Sequence, residues 1–227
     1  MEREKVISFS VFGDSPKYCV GMIRNLEISE EIFPGWKVYI YYNNTVPKNY
    51  IDEYKKFPHA NLIDMSEKNI PGMFWRFLPF EGVERFICRD SDSRLITRDR
   101  SAVDEWIKDG TDLHIMRDHD HHQYKILGGM WGLRPKEDLL PLIEKYMEDK
   151  NSDLFYRMVD MDFLRDILYP RYIGSSTIHI SLEKNRIEPH CKPFPEKMKD
   201  YRFVGEIINE DESREYQYMV WKEFKEI

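Results

Sequence analysis

The chain begins with an alternation of strand-like and helix-like segments. Val6 to Phe12 is rich in β-branched and aromatic residues and ends at a cluster of turn-forming residues, which is typical of a strand. From Lys17 to Glu27 the apolar residues recur at helical spacing, and Trp36 to Tyr42 returns to strand-like composition after the Pro34–Gly35 turn. These segments predict a βαβ unit.

The alternation continues through the first half of the chain. The pattern predicts, in order, a polar helix, a short strand, an apolar helix, a strand, a helix and a strand: Lys48–Lys56, Asn61–Met65, Met73–Leu78, Arg85–Cys88, Ser101–Gly110 and Leu113–Met116. Alternating strands and helices favour a single α/β domain whose central sheet is mostly parallel and flanked by helices. In such sheets, ligands bind beyond the carboxyl ends of the strands.

The pattern becomes less regular in the second half. Gly128 to Pro135 indicates a glycine-rich turn that leads into a short strand, followed by a helix from Lys136 to Met147. A further helix, Met158 to Leu168, is expected to stop before Pro170, and Thr177 to Ile180 is the clearest later strand. Because no linker or internal repeat appears, we expect one domain over residues 1–227.

Composition narrows the class of protein. The 227 residues are 41% hydrophobic and 33% charged, which is typical of a globular domain. A formal net charge of −7 without a basic stripe argues against nucleic-acid binding. Three cysteines without close pairing favour a reducing compartment, and the first apolar run is too short and polar for a signal sequence or a transmembrane segment. We therefore expect a cytoplasmic protein, in the host cytoplasm if the chain is viral.

An acidic pair follows the predicted strand that ends at Cys88. Asp90 and Asp92 are separated by one residue, so an extended backbone can point both carboxylates to the same side. Paired carboxylates suit Mg²⁺ or Mn²⁺, which leave coordination positions open for diphosphate oxygens. Arg89 and Arg94 flank the pair, as expected where a phosphate is also held. The alternative is an ordinary strand-end turn in which Asp90 caps the next segment and the arginines balance the charge.

Several further motifs occur in a fixed order around this pair. They are an arginine-containing helix before the strand, a glycine-rich segment, an acidic segment, a strand-end histidine and a Lys-Pro-aromatic sequence: Phe74–Pro79, Lys125–Gly132, Val159–Leu164, Thr177–Ile180 and Lys192–Phe194. Together, over roughly residues 73–205, they resemble glycosyltransferases of the GT-A fold. Within these they resemble the retaining galactosyltransferase and glycogenin-like group and related domains of large algal DNA viruses.

The resemblance implies a GT-A (Rossmann-like) domain with a nucleotide-sugar-binding part, about residues 1–125, and an acceptor and catalytic part, about residues 126–227. It implies that donor contacts come from Phe9, Arg76, Asp90, Ser91, Asp92, Gly129 and Lys192. It also implies that Asp90, Asp92 and His179 hold the metal ion, although His190 lies nearer to Lys192 and is an alternative third ligand. Trp131 could offer a face to a sugar ring, but tryptophan in a strand is also typical of a core.

The acidic segment departs from the family pattern. Met161 stands where the family has a glutamine, and a thioether cannot make a strong hydrogen bond to a sugar hydroxyl. The candidate catalytic carboxylates are therefore Asp160 and Asp162, together with Asp118. Asp118 lies in the histidine-rich stretch Arg117–His122. We interpret this stretch as a solvent-exposed loop or as a ligand-binding loop; a zinc site is a third interpretation, although the spacing matches no usual zinc pattern.

These motifs predict a metal-dependent glycosyltransferase that moves a sugar from a nucleotide diphosphate sugar, of the uridine type, to a hydroxyl of a glycan or glycoprotein acceptor. Two alternatives stay open. Paired aspartates after a strand also serve metal-dependent phosphoester hydrolases, and the missing glutamine leaves room for a non-catalytic nucleotide-sugar-binding module. The sequence does not distinguish a retaining from an inverting reaction.

Overall fold

A computed structural model describes residues 3–150, 156, 158–214 and 227. Eight strands form one sheet in the order β3-β2-β1-β4-β6-β5-β7-β8. Their bounds are β1 Glu4–Val11, β2 Lys37–Tyr42, β3 Ala60–Asp64, β4 Val83–Cys88, β5 Leu113–Arg117, β6 Trp131–Leu133, β7 Ser176–Ile180 and β8 Lys192–Pro193. All neighbours are parallel except β6, which is antiparallel to both β4 and β5. The predicted α/β class with a mostly parallel sheet is confirmed.

The helices lie on both faces of this sheet. Their bounds are α1 Pro16–Ile32, α2 Lys48–Tyr54, α3 Gly72–Trp75, α4 Thr97–Asp109, α5 Leu140–Lys150, α6 Val159–Phe163 and α7 Tyr169–Tyr172, with a π-helical segment Leu164–Leu168 between α6 and α7. Two short 3₁₀ segments, Ile173–Ser175 and Glu183–Asn185, flank β7. Among the described residues, no helix combines the length and apolar character needed to cross a membrane.

Helix boundaries depart from the predicted ones at several places. Helix α4 begins at Thr97 rather than at Ser101, and α1 ends at Ile32 rather than at Glu27. The helix predicted from Lys136 begins at Leu140, where the Asp138 carboxylate accepts the Leu140 N–H at 2.9 Å. The helix predicted to stop before Pro170 instead continues through it, with Pro170 in the first turn of α7. Pro170 therefore lies at the junction where the π-helical segment ends and α7 begins.

Alternate side chains of the strands build two core layers. On one face, Ile7, Phe9 and Val11 of β1 pack with residues of α1, including Cys19 and Met22. On the other face, Phe86 and Cys88 of β4 and Trp131 of β6 pack with aromatic residues from α3 and α6: Phe74 and Phe163. Period-two alternation is the pattern expected of strands buried on both faces.

The topology brings three loops to one edge of the sheet. The parallel neighbours β1 and β4 run toward the same edge, and Cys88 at the end of β4 is aligned to Ser8, three residues before β1 ends. The antiparallel strand β6 starts at the same edge, because Trp131 is aligned to Cys88. The loops that follow β1 and β4 and the turn that precedes β6 therefore meet there, and this carboxyl edge is the position at which parallel α/β sheets bind ligands.

Candidate functional site

Asp90 and Asp92 lie at the carboxyl edge, directly after β4. The Asp90 side chain is 43% exposed and the Asp92 side chain 12% exposed. Burial, together with the negative charge of Asp90, raises the pKa of Asp92 to about 6, and Lys17 at 3.9 Å opposes this shift only partly. The two carboxylates thus concentrate negative charge at the carboxyl edge of the sheet, with Asp90 exposed to solvent and Asp92 mostly buried.

Arg76 connects the acidic pair to the acidic segment of α6. Its guanidinium forms an ion pair with Asp90, and its Nη2 lies 3.0 Å from Oδ2 of Asp160. Its backbone N–H donates to the Ser10 hydroxyl at the end of β1, at 2.9 Å. Arg76, Asp90 and Asp160, which are far apart in sequence, therefore form one cluster.

The turn before β6 is pressed against this cluster. A Cβ atom on Gly129 would overlap the Asp90 carboxylate, and one on Gly128 would lie 2.5 Å from both the Arg76 guanidinium and the Asp160 carboxylate. Only glycine leaves the space that these two positions need. Gly129 was expected here from the sequence, and Gly128 is equally constrained.

Burial also alters the Asp160 carboxyl. It is 4% exposed as a residue, and desolvation raises its pKa although the Arg76 cation lowers it. Its Oδ1 accepts the backbone N–H of Met161 at 2.9 Å, so part of its hydrogen-bonding capacity is used within the first turn of α6. Of the three predicted catalytic carboxylates, Asp160 is the one that the structure brings to the acidic pair.

Helix α1 holds the backbone of the acidic pair through Asn25, a residue that the sequence analysis did not identify. The buried Asn25 amide donates to the carbonyls of Ser91 at 3.3 Å and Ser93 at 2.7 Å, and its oxygen accepts the Leu95 N–H at 3.1 Å. A Cβ on Gly21 would overlap the Ser91 carbonyl, so α1 can approach this closely only with glycine there. The available signal was a polar residue inside the apolar stripe of α1.

The C-terminal part of the described chain is fastened to the same loop. The Ile208 N–H donates to the Asp92 carbonyl at 2.8 Å. The Arg94 guanidinium contacts the carbonyls of Ser93 and Asn209, at 3.0 and 3.3 Å, and the Glu212 carboxylate at 2.9 Å. Arg94 therefore joins two parts of the backbone rather than facing a ligand.

The second flanking arginine is also committed to the protein interior. Arg89 is 2% exposed and forms a bidentate ion pair with Asp99 of α4, at 2.6 and 2.8 Å. The expectation that Arg89 and Arg94 hold a phosphate beside the acids is not met by this arrangement. Among the described residues, Arg76 forms an ion pair with Asp90 and Lys17 one with Asp92.

His179 and Lys192 lie apart from the acidic pair. Strand β7 is three strands from β4, which corresponds to roughly 14 Å across the sheet. His179 is fully buried on the α4 face, with one ring nitrogen 2.9 Å from Glu105 and the other 2.9 Å from His114. Burial lowers the pKa of His179 to about 4. Its nitrogens are occupied and it faces away from the cluster, so the structure does not bring the expected third ligand to Asp90 and Asp92.

Neither Lys192 nor the alternative ligand His190 joins the cluster. Lys192 of β8 is bound by Asp109 at 2.5 Å and Glu105 at 2.9 Å, both at the C-terminal half of α4. His190 contacts the Ser176 hydroxyl at the start of β7, at 2.9 Å. No group of three or more histidine, cysteine, aspartate or glutamate side chains among the described residues is arranged to hold a metal ion.

Two of the candidate catalytic acids make other contacts. Asp118 is 1% exposed and accepts hydrogen bonds from Arg98, Ser181 and the Val204 backbone. Burial raises the pKa of Asp118, and Arg98 opposes this. Asp162 pairs with Arg165 at 2.5 Å and with the Tyr156 hydroxyl. Asp118 therefore fixes the backbone around β5 and β7, and Asp162 lies in a surface ion pair.

The remaining predicted residues lie in the hydrophobic core or are held through their backbone atoms. Phe9 is fully buried in β1 and presents no surface to a ligand. Ser91 has a buried hydroxyl that finds no hydrogen-bond partner in the described part of the chain, while its carbonyl is held by Asn25. Trp131 is fully buried against Phe77 and Phe86, so the core alternative holds for Trp131.

The histidine-rich stretch is neither a zinc site nor a simple exposed loop in the residues that the structure covers. The rings of His119 and His122 pack against Phe203, and the backbone N–H of Asp118 donates to His122. Burial lowers the pKa of His119 to about 3 and lowers that of His122 as well. These histidines are neutral packing residues.

No protein-family model and no curated protein matches the sequence. Solved structures do resemble the fold. One is 4-diphosphocytidyl-2C-methyl-D-erythritol synthase from Anaerococcus prevotii, with a TM-score of 0.50 and 10% identity over 82% of this chain and 90% of that one. Another is an active-site mutant of LgtC, with a TM-score of 0.50 and 10% identity over 87% and 89%.

A third similar structure is a glycosyltransferase involved in glycosylation of the major capsid of PBCV-1, with a TM-score of 0.42 and 15% identity over 78% of this chain and 81% of that one. The fold assignment rests on the two structures at 0.50. With a single α/β sheet of eight strands flanked by helices, the chain has the GT-A fold that its sequence motifs predicted.

Proposed function

We propose that this chain is a metal-dependent glycosyltransferase. It transfers a sugar from a nucleotide diphosphate sugar, of the uridine type, to a hydroxyl of a glycan or glycoprotein. The observation that carries the proposal is the cluster of Arg76, Asp90 and Asp160 against Gly128 and Gly129, at the carboxyl edge of β4. The division at residue 125 and the cytoplasmic location remain predictions.

The acidic pair fits a hard divalent cation. Two carboxylates lie together after β4, Asp90 is exposed, and burial together with the charge of Asp90 raises the pKa of Asp92. Mg²⁺ and Mn²⁺ are commonly held by one or two carboxylates, with substrate phosphates completing the coordination. Asp90 and Asp92 would hold this ion, which when bound offsets the charge of the leaving diphosphate.

The other residues orient the donor. Arg76 is fixed between Asp90 and Asp160, so its charge is held at the boundary between the diphosphate and sugar ends of the site. Gly128 and Gly129 let backbone groups approach the sugar closely. Asp160 accepts hydrogen bonds from sugar hydroxyls. It thereby supplies the polar contact to the sugar that the thioether of Met161 cannot make.

The direct test is an assay with a panel of nucleotide sugars, in which mass spectrometry detects release of the nucleoside diphosphate with and without Mn²⁺. We expect release that requires the metal and that falls at least 100-fold in Asp92→Asn, because transition-state charge stabilisation of this kind is worth several kcal/mol. Asp160→Asn should also lose activity. Asp162→Asn is the matched control, because Asp162 lies in a surface pair with Arg165, and it should keep activity within about threefold. Full metal-dependent activity in Asp92→Asn would contradict the assignment of the acidic pair.

A second candidate function follows from the equal similarity to the diphosphocytidyl synthase. In that case the site would form a nucleoside diphosphate conjugate rather than cleave one. Incubation with a nucleoside triphosphate and a sugar phosphate would then release pyrophosphate. Pyrophosphate without any nucleoside diphosphate release from nucleotide sugars would replace the first proposal by this one.

A further inference from the structure

A second cavity lies at the edge of the sheet opposite the acidic pair. It has a volume of about 550 Å³ and is formed by residues that precede β1, β4, β5 and β7 and by those that follow the antiparallel β6. Strand β4 alone separates the two edges by six residues, or about 20 Å. The cavity is therefore distinct from the candidate donor site, and its volume is in the range of small-molecule sites.

Cationic side chains dominate the lining. Arg3, Arg134 and Lys136 contribute three positive charges, and Asp112 contributes one negative charge. The Asp112 carboxylate is paired with Lys136 at 2.5 Å and also interacts electrostatically with Arg134. The lining still carries an excess of two positive charges, in a protein whose net charge is −7.

Arg3 and Arg134 are solvent-exposed arginines without an ion pair or a side-chain hydrogen bond in the described part of the chain. Within residues 3–150, 156, 158–214 and 227, the arginine side chains form ion pairs or hydrogen bonds with three exceptions, which are Arg3, Arg134 and Arg171. Two of the three exceptions line the same cavity. Arginine forks match the oxygens of a phosphate group in bidentate geometry, and the unpaired forks here have their donors free for such a ligand.

The cavity also offers more than charge. Its volume exceeds that of a phosphate group, and Phe80 and Pro135 give it an apolar wall beside the cations. From this combination we propose that the cavity binds a small phosphate ester, with the phosphate held by Arg3 and Arg134 and the organic part against Phe80 and Pro135. This proposal does not depend on the proposed glycosyltransferase function.

Calorimetric titrations of the whole chain test this site, with inorganic phosphate and a sugar phosphate as probes. We expect the sugar phosphate to bind more tightly than inorganic phosphate, because only it reaches the apolar wall. Arg134→Gln and Arg3→Gln should each weaken its binding about tenfold, which is the size expected for loss of a charge-assisted hydrogen bond.

Arg171→Gln is the matched control, because it removes an equally unpaired arginine outside the cavity, and it should leave binding unchanged within twofold. Asp92→Ala should also leave binding unchanged, which separates this site from the candidate donor site. The proposal fails if the wild-type chain binds neither probe at millimolar concentration, if Arg171→Gln weakens binding as much as Arg134→Gln, or if inorganic phosphate binds as tightly as the sugar phosphate.

Discussion

At the scale of single residues, the candidate donor site depends on two positions that carry no side chain. Gly129 provides room for Asp90, and Gly128 provides room for the contact between Arg76 and Asp160. Neither glycine has a positive φ, so the constraint is space rather than backbone conformation. Larger side chains at these positions would displace the carboxylates and not the backbone turn.

The change Gly129→Ala tests this constraint. The new Cβ would force Asp90 away from Arg76, and we expect it to lower the free energy of unfolding by about 1–3 kcal/mol, the usual cost of overpacking. It should also weaken binding of a nucleoside diphosphate in the presence of Mn²⁺. Urea unfolding and calorimetry measure the two effects.

Gly174→Ala is the control for this change. Gly174 has nothing within 4 Å of the position that its Cβ would take. The substitution should therefore leave unfolding within about 1 kcal/mol of wild type, and any small gain would come from the unfolded chain. If Gly129→Ala changes the free energy of unfolding as little as Gly174→Ala does, the Asp90 carboxylate is not packed against Gly129 as the structure has it.

At the scale of elements, helix α1 and the segment 203–214 together hold the loop that carries the acidic pair. Asn25 binds the carbonyls of Ser91 and Ser93 from α1, while Arg94 and the Ile208 N–H join the loop to the later segment. The carboxylates of the pair are thus presented by backbone that is hydrogen-bonded from two sides. Such support fixes the geometry of a site more firmly than the loop could alone.

The change Asn25→Asp separates this support from simple packing, because the two side chains have nearly the same shape. The aspartate keeps an acceptor for Leu95 but places a charge against the Ser91 and Ser93 carbonyls. We expect a loss of about 2–4 kcal/mol in unfolding free energy and faster amide hydrogen exchange over residues 91–95. Asn61→Asp, on the exposed edge strand β3, should change neither measurement. If amide hydrogen exchange over residues 91–95 is unchanged in Asn25→Asp, then α1 does not hold this loop in place.

At the scale of the whole molecule, the sequence predicted the local elements better than the distances between them. The acidic pair was identifiable because a strand and its end are local features. The resemblance implied that Arg76 and Asp90 both contact the donor, and their side chains form an ion pair in the structure. His179 and Lys192 were misplaced because their positions depend on strand order, and β6 inserts antiparallel between β4 and β5. Asn25 was missed because its partners are backbone atoms, which no sequence pattern displays.

The many buried histidines give the molecule a predictable response to acid. Burial lowers the pKa of His114 and His122, that of His179 to about 4 and that of His119 to about 3. In the unfolded chain these groups titrate near 6.5. Below about pH 7 the unfolded chain therefore binds protons that the folded chain does not, so stability is fully present above that pH and is lost as the pH falls toward 4.

Each such histidine contributes a slope of up to about 1.4 kcal/mol per pH unit within this window. The carboxyls of Asp92, Asp118, Asp160 and Glu206 act in the opposite direction, because burial raises the pKa of each of them, to about 6 for Asp92. Urea unfolding between pH 8 and pH 5 should therefore show a fall in the free energy of unfolding that these carboxyls make shallower. His119→Gln should make the slope shallower by about one proton. A slope equal to that of wild type in His119→Gln would mean that His119 titrates alike in both states, and that its packing against Phe203 does not hold it neutral.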